Sequence, residues 1–206
     1  MTDDQRTPRT VDIVERERVY NGYFKIDRFR LRHELFQGGM GKDVIREVAE
    51  RGHAVAVMLY DPDRDACVMI EQFRPGAYAA GWDAWLLEVV AGIIEDGESA
   101  EDVARRECVE EAGVTVDDLI AGPAYLASPG VLTESISLYV GRVDSTRCGG
   151  VHGLGEEGED IRVMVLTVEE LRRMLDEHRL TNATTLISVQ WLLLNRDRLR
   201  KQWGIA

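Results

Sequence analysis

Apolar and charged residues alternate along the early part of the chain, from Val11 to Leu35. Alternation with a period of two is typical of a half-buried β-strand, and the Asn-Gly pair at 21–22 favours a tight turn. We therefore predict two antiparallel strands joined by a hairpin. A polar tail over residues 1–10, predicted to be disordered, precedes them, and a glycine-rich connection follows at 38–41.

This pattern predicts a small N-terminal antiparallel β domain over residues 1–45 and a larger domain over residues 46–206. A β unit of two or three strands is at best marginally stable by itself in water. We therefore expect it to dock on another surface, and a second subunit is a plausible candidate.

The larger domain interleaves segments with strand-like and helix-like patterns. The predicted elements are strands at 54–60, 67–72, 85–91, 124–126, 135–143 and 161–166, helices at 168–177 and 182–200, and loops at 73–85 and 148–160. Interleaved strands and helices indicate an α/β (α+β) fold with mixed sheets.

One more helix is predicted immediately after the sequence Gly92–Glu98. Ser99 is a good N-cap residue, and Asp102 stands three residues on, where an acidic partner is expected. Gly113 can end the helix in the left-handed conformation that glycine adopts at little cost. The helix is therefore predicted to run for about three and a half turns between these two residues.

Two glutamates of this helix share its small, apolar face. At 100° per residue, one sector of about 100° contains the residues that should pack inward. They are Ala100, Val103, Ala104, Glu107 and Glu111. Burying two unpartnered anions costs on the order of several kcal/mol each. A divalent cation would remove this cost, because hard cations bind carboxylate oxygens. The alternative is a solvated acidic helix.

Composition and charge narrow the classes of function. A chain of 206 residues with 45% hydrophobic residues can bury a core. The net charge of −12 argues against partners such as nucleic acid or an anionic membrane. We expect neither a signal peptide nor a membrane span. The three cysteines lack metal-ligand spacing and fit a reducing cytoplasm.

The segment 92–114 reads GIIEDGESAEDVARRECVEEAGV. Five residues separate Gly92 from Glu98, and seven more lead to RECVEEAGV. This resembles the box of the Nudix hydrolase family, G-x5-E-x7-R-E-U-x-E-E-x-G-U, in which U is aliphatic. Cys108 is the one loose fit at an aliphatic position, where a small buried thiol can serve.

Outside the box, the chain resembles the bacterial ADP-ribose pyrophosphatase branch of that family over about residues 20–200. The similar segments are RGHAVAV at 51–57, EQFR at 71–74, LLEVVAG at 86–92, LASPG at 126–130 and GLGEEGEDIRV at 153–163. In this branch a proline stands sixteen residues after the last glycine of the box, and here that position is Pro129.

The resemblance implies an αβα sandwich with mixed sheets, and a homodimer whose subunits exchange their N-terminal β domains. It also implies Mg²⁺ as cofactor, with two or three ions and Mn²⁺ as an alternative. The implied metal ligands are the carbonyl of Ala91 and the carboxylates of Glu107, Glu111 and Glu159. Such ions neutralise a pyrophosphate and lower the pKa of a bound water.

Further roles follow from the same resemblance. Glu157 is implied as the general base that takes the proton of the attacking water. Glu98 and Arg106 are expected to form an ion pair that holds the loop against the helix. Glu110 is expected to support the site, either as a further ligand or through arginine contacts.

The substrate-binding residues implied by the resemblance are Tyr23, Arg46, Arg74, Pro129 and Glu134. Arg74 is expected at the phosphates, Arg46 towards the adenine end, and Glu134 at the adenosine or ribose part. Tyr23 of one subunit could stack on the adenine bound to the other. The alternative for each is a surface arginine or a packed tyrosine. Val131 and Leu132 replace smaller residues that are common in the family at these positions, which leaves the contacts to the terminal ribose open.

The expected function is Mg²⁺-dependent hydrolysis of ADP-ribose to AMP and ribose 5-phosphate. Two alternatives remain at this point. One is a hydrolase of GDP-mannose or another nucleoside-diphosphate sugar, and the other is a non-catalytic sensor of ADP-ribose. Loss of a box glutamate would favour the sensor, and the box glutamates are all present.

Overall fold

The computed structural model describes residues 10–205. The tail expected to be disordered over residues 1–10 therefore lies outside the described residues except for Thr10. The Thr10 carbonyl accepts a hydrogen bond from the Glu34 amide at 2.9 Å, and the Thr10 hydroxyl donates to the Glu34 carboxylate at 3.1 Å. Thr10 thus belongs to the folded part of the chain.

The chain divides into two compact units, and the N-terminal unit comprises Met1–Gly52 together with Ser128–Glu134. Its antiparallel sheet has the order β1 (Val11–Asn21), β2 (Lys25–His33) and β3 (Val44–Glu50). The expected boundary after residue 45 falls inside β3, because β3 pairs with β2 from Val44 to Glu50. The segment 128–134 joins the unit through a parallel bridge between Ala49 and Leu132.

The second unit comprises His53–Ala127 and Ser135–Ala206 and is built on a mixed sheet. Its strands are β4 (His53–Asp61), β5 (Ala66–Phe73), β6 (Trp85–Glu88), β7 (Val90–Ile94), β8 (Asp118–Leu126), β9 (Ser135–Arg142), β10 (Gly150–His152) and β11 (Ile161–Thr167). The main order is β10-β11-β5-β4-β9-β8, with β6 paired to β5 and β7 paired to β4. The β4–β9 pair is parallel, and the neighbouring pairs are antiparallel.

Helices cover both faces of this sheet. They are α2 (Ala100–Ala112), α3 (Val168–Asp176) and α4 (Ala183–Gln202), whereas the short helix α1 (Pro75–Ala79) has no buried residue. Because side chains alternate along a strand, β4 feeds two cores. Val55 and Val57 pack with α2, whereas Ala56 and Met58 pack with α3 and α4. The expected αβα sandwich is confirmed. Within residues 10–205, no helix is long and apolar enough to cross a membrane.

Three segments differ from the sequence prediction. The strand expected at 85–91 is two strands, because the chain passes from pairing with β5 to pairing with β4 around Val89. The loop expected at 73–85 contains α1, which has Pro75 in its first turn. The loop expected at 148–160 contains β10 and a 3₁₀ turn over Gly155–Glu157. Of these elements, β7 and β10 lie against α2.

Candidate active site

Local hydrogen bonds define both ends of α2. The Ser99 hydroxyl accepts the Asp102 amide at 3.2 Å and donates to the Asp102 carboxylate at 2.7 Å. Gly113 ends the helix with a φ of 65°, where its amide donates to the Val109 carbonyl and the next amide, of Val114, donates to the Cys108 carbonyl, both at 3.0 Å. The predicted helix bounds are therefore confirmed. These caps fix where α2 begins and ends.

Gly92 of β7 lies directly against the carboxylate of Glu107. A β-carbon on Gly92 would lie 2.1 Å from Glu107 Oε1, which is far inside van der Waals contact. Any other residue at position 92 would displace that carboxylate. The first glycine of the box is therefore required by the close approach of an acidic side chain to the strand backbone.

Glu111 is the most deeply buried carboxylate on the inward face of α2. It is 4% exposed, and its Oε2 accepts the Ala91 amide at 3.0 Å. Its pKa is raised to about 8, chiefly by burial and also by the charges of Glu107 and Glu159, against the lowering effect of the Ala91 amide and Arg74. The charges of Glu107, Glu111 and Glu159 are therefore close enough to repel one another, and a bound cation would reduce this repulsion.

Arg106 binds three carboxylates on the outer side of this acidic face. Its guanidinium lies 3.6 Å from Glu98, 2.9 Å from Glu107 and 3.1 Å from Glu110. Glu98 also accepts the Glu95 amide at 2.9 Å. The Glu98–Arg106 ion pair expected from the sequence is thus present. It ties the loop before α2 to the second turn of the helix and leaves Glu110 in contact with arginine.

The glycine-rich acidic loop is attached to α2 at its beginning. The Gly153 amide donates to the Glu110 carbonyl at 3.2 Å. A β-carbon on Gly153 would lie 2.7 Å from Glu159, and the φ of +100° also favours glycine. Glu159 Oε2 accepts the Leu154 amide at 3.0 Å. Glu157 lies in the 3₁₀ turn, and its side chain is outside the described part of the structure.

Arg74 also belongs to this neighbourhood, but its direct partner was missed by the sequence analysis. Its Nε and Nη2 donate to one oxygen of Glu88 at 2.9 and 2.7 Å. Glu88 is 3% exposed. The available signal was a single acidic residue within the apolar run LLEVVAG, since a charge in a buried strand requires a partner.

The remaining candidate residues belong to the N-terminal unit. They are Tyr23, Arg46, Pro129 and Glu134. Tyr23 is 80% exposed and meets Phe24 edge to face at a centroid distance of 5.2 Å. Arg46 donates to the carbonyl of the preceding residue at 2.7 Å, and Glu134 lies 3.5 Å from Arg51. Pro129 is exposed.

The acidic side chains of α2 and the loop offer hard oxygen ligands. Among the side chains that the structure describes, no three from His, Cys, Asp or Glu already converge as an ion cage. Glu107 contacts Arg106, Glu111 accepts the Ala91 amide, and Glu159 accepts a loop amide. The set still fits Mg²⁺ chemically, because Mg²⁺ selects carboxylate oxygens and its charge would offset the cost of burying the ionised Glu111 carboxylate.

The chain matches one known domain family and several known proteins. The NUDIX domain family model matches residues 50–187. The chain is 48% identical to the ADP-ribose pyrophosphatase of Escherichia coli, covering 94% of this chain and 93% of that protein. It is 40% identical to the ADP-ribose pyrophosphatase of Haemophilus influenzae, covering 94% and 90%.

Two further matches are more distant. The GDP-mannose pyrophosphatase of Pectobacterium atrosepticum is 29% identical, with 89% of this chain and 94% of that protein covered. A crystal structure described as an ADP compounds hydrolase superposes with a TM-score of 0.65 at 20% identity and covers 98% of both chains. At this identity the structural match supports the fold alone.

Proposed function

The chain belongs to the Nudix family, and from this premise we propose that it hydrolyses the pyrophosphate bond of ADP-ribose to AMP and ribose 5-phosphate. The observation that carries the chemistry is buried Glu111 beside Glu107 and Glu159. The substrate is supported by the name shared by the relatives from E. coli and H. influenzae. The more distant GDP-mannose pyrophosphatase supplies the second candidate substrate.

Mg²⁺ is the proposed cofactor, with two or three ions and Mn²⁺ as an alternative. Glu107, Glu111, Glu159 and the Ala91 carbonyl would hold the ions, which when bound neutralise the pyrophosphate and lower the pKa of water. An ion would have to exchange with the contacts that these carboxylates now make. Arg106 can take part in that exchange, because it also contacts Glu98 and Glu110.

Glu157 is the proposed general base. It takes a proton from the water that attacks phosphorus, while the bond to the bridging oxygen breaks and the products separate. Its position between Gly155 and left-handed Gly158 suits a loop that changes conformation when substrate binds. Replacing Glu157 by Gln is expected to lower turnover by about 10²–10⁴-fold and to leave ADP-ribose affinity nearly unchanged. The matched variant is Glu156→Gln, and a collapse of turnover in that variant alone would reassign the base.

Arg74, Arg46, Tyr23, Pro129 and Glu134 are the proposed substrate-binding residues. The Arg74 guanidinium is close enough to Glu111 and Glu159 to interact with both charges, which suits a phosphate contact. Tyr23 has an exposed ring for stacking on adenine. We propose that this ring is supplied by a second subunit, in a homodimer that exchanges N-terminal units.

The proposed dimer has physical support in the N-terminal sheet. Apolar side chains on its strands are largely exposed in the single chain, and they include Val11, Ile13, Tyr20 and Ile45. A sheet of three strands gains stability by covering such a surface. A fully active monomer at micromolar concentration, measured by light scattering, would contradict this proposal.

All three cysteines are free. This suits a reducing cytoplasm, where we place the protein without nucleic-acid or membrane partners.

The decisive experiment is a hydrolysis panel with ADP-ribose, GDP-mannose, ADP-glucose, NADH and diadenosine polyphosphates. We expect the highest kcat/KM for ADP-ribose with Mg²⁺, formation of AMP, and loss of turnover in EDTA. A higher kcat/KM for GDP-mannose would replace the proposed substrate and retain the chemistry. Tight binding of ADP-ribose without turnover of any compound would favour the sensor instead.

A further inference from the structure

Glu88 is a buried carboxylate that accepts hydrogen bonds from three residues in two separate parts of the second unit. Its Oε2 accepts Arg74 Nε at 2.9 Å, Arg74 Nη2 at 2.7 Å and Gln72 Nε2 at 3.4 Å. Its Oε1 accepts Asn182 Nδ2 at 2.8 Å. Asn182 is the N-cap of α4 and accepts the Thr185 amide at 3.0 Å. The carboxylate is therefore held from both sides before any ligand arrives.

This contact leaves part of the Arg74 guanidinium for another anion. A guanidinium has five N–H donors in a planar fork. Glu88 engages Nε and Nη2, so the two N–H groups of Nη1 are not used in the contact. The side chain of Arg74 is 41% exposed, whereas that of Glu88 is 4% exposed. The arginine can thus be anchored at one edge and present the other edge to a ligand.

Arg74 has competing anions nearby. Its positive charge interacts with Glu88 most strongly, and also with Glu111 and Glu159. An arginine paired with either of the latter would occupy an oxygen assigned to Mg²⁺ and would lose its phosphate-binding edge. A buried and prearranged carboxylate competes well for the guanidinium, because its own desolvation has already been offset by Gln72 and Asn182.

We propose that Glu88 is a positioning residue that holds Arg74 as a fork for the diphosphate of the substrate and keeps it from pairing with Glu111 and Glu159. This role rests on the proposed function, in which Arg74 contacts phosphate. The substrate class is that of the proposed function, a nucleoside diphosphate sugar. The Arg74 fork would contact only the diphosphate and would not distinguish one base or sugar from another. Glu88 acts through Arg74 and does not itself touch the substrate.

The role predicts a specific kinetic signature. Replacing Glu88 by Gln retains the shape but removes the charge, so Arg74 can turn towards the metal-binding acids. KM for ADP-ribose is expected to rise by about tenfold or more, as for the loss of a hydrogen bond to a charged group. The Mg²⁺ concentration for half-maximal activity should also rise. Turnover at saturating substrate and Mg²⁺ should fall much less, since the acids and Glu157 are unchanged.

A double-mutant cycle with Glu88→Gln and Arg74→Ala tests whether the effect passes through Arg74. The affinity for ADP-ribose in EDTA, measured by calorimetry, is the readout that does not depend on turnover. We expect the double variant to bind no more weakly than Arg74→Ala alone. Full additivity of the two losses would overturn the proposal, because Glu88 would then act independently of Arg74.

Two further variants separate positioning from folding. Asp61→Asn makes the same change at another buried carboxylate, which holds Ser145 instead, and should alter thermal stability without raising KM. Glu88→Asp retains the charge, but its side chain is shorter by one methylene, so the carboxylate lies farther from Arg74. The rise in KM is therefore expected to be smaller than in Glu88→Gln. If Glu88→Gln does not fold, an unchanged KM in Glu88→Asp overturns the role. Failure of the wild type to hydrolyse ADP-ribose would instead reject the proposed function.

Discussion

The buried charge of Glu111 should make the metal-free protein less stable as pH rises. Its pKa is raised from the usual 4.5 to about 8, chiefly by burial. Between these values the folded protein holds a proton that the unfolded chain has released. Unfolding stability therefore falls with pH across this range and levels off above about pH 8. Replacing Glu111 by Gln removes this titration.

The size of the effect follows from the shift. Each tenfold change in proton affinity is worth about 1.4 kcal/mol, so a rise from 4.5 to about 8 corresponds to about 5 kcal/mol. The new amide also buries an N–H₂ group, at a cost of about 1–3 kcal/mol that does not vary with pH. Glu111→Gln should therefore be more stable than wild type by about 2–4 kcal/mol at pH 9. This advantage should be absent or reversed at pH 5.

The assay is thermal unfolding in EDTA from pH 5 to pH 9. For a chain of this length the difference of about 2–4 kcal/mol at pH 9 corresponds to about 4–16 °C in Tm. Glu101→Gln, an exposed position on the same helix, is the matched control and should shift Tm by less than about 2 °C. Added Mg²⁺ should raise the Tm of wild type more than that of Glu111→Gln. Parallel Tm profiles for the two proteins between pH 5 and pH 9 would refute the reasoning.

Two glycine substitutions test the packing around the acidic face. Gly92→Ala should displace the Glu107 carboxylate, since the added carbon would lie 2.1 Å from Oε1, and lower activity at least tenfold, measured with a Mg²⁺ titration. A wild-type Mg²⁺ profile would contradict this. Gly113→Ala should lower the unfolding free energy by about 1–3 kcal/mol, because its φ is +65° and the His152 ring would lie 2.4 Å from the added carbon. Urea denaturation measures the loss, and an unchanged midpoint would show that the loop carrying His152 yields freely.

Much of the α2 region was determined by the sequence alone. The Ser99 cap and the left-handed Gly113 depend on contacts within a few residues, so local chemistry specifies both ends of the helix. The helical period then places Glu107 and Glu111 on the face with Val103 and Ala104, and Glu111 is buried there. The spacing of the box residues supported the Nudix resemblance, and the αβα sandwich was expected from that resemblance.

The tertiary structure decided which distant residues meet this face. Glu88 joins Arg74 across 14 positions and Asn182 across 94 positions. The register of β5 with β6 brings the first pair together, and the packing of α4 brings the second. No local pattern encodes these choices. In the same way, the run at 85–91 became two strands because its halves pair with different neighbours.

The close contact between Glu107 and Gly92 also depends on the tertiary structure. The sequence shows only a glycine and a glutamate fifteen positions apart. Their contact depends on how α2 lies on β7, which is set by the combined packing of Val103, Cys108 and the strands beneath them. Caps and helical faces arise from interactions over three or four residues, so a single sequence can reveal them. Strand register and helix docking arise from many weak, non-local contacts acting together, so only the folded chain reveals which side chains share a site.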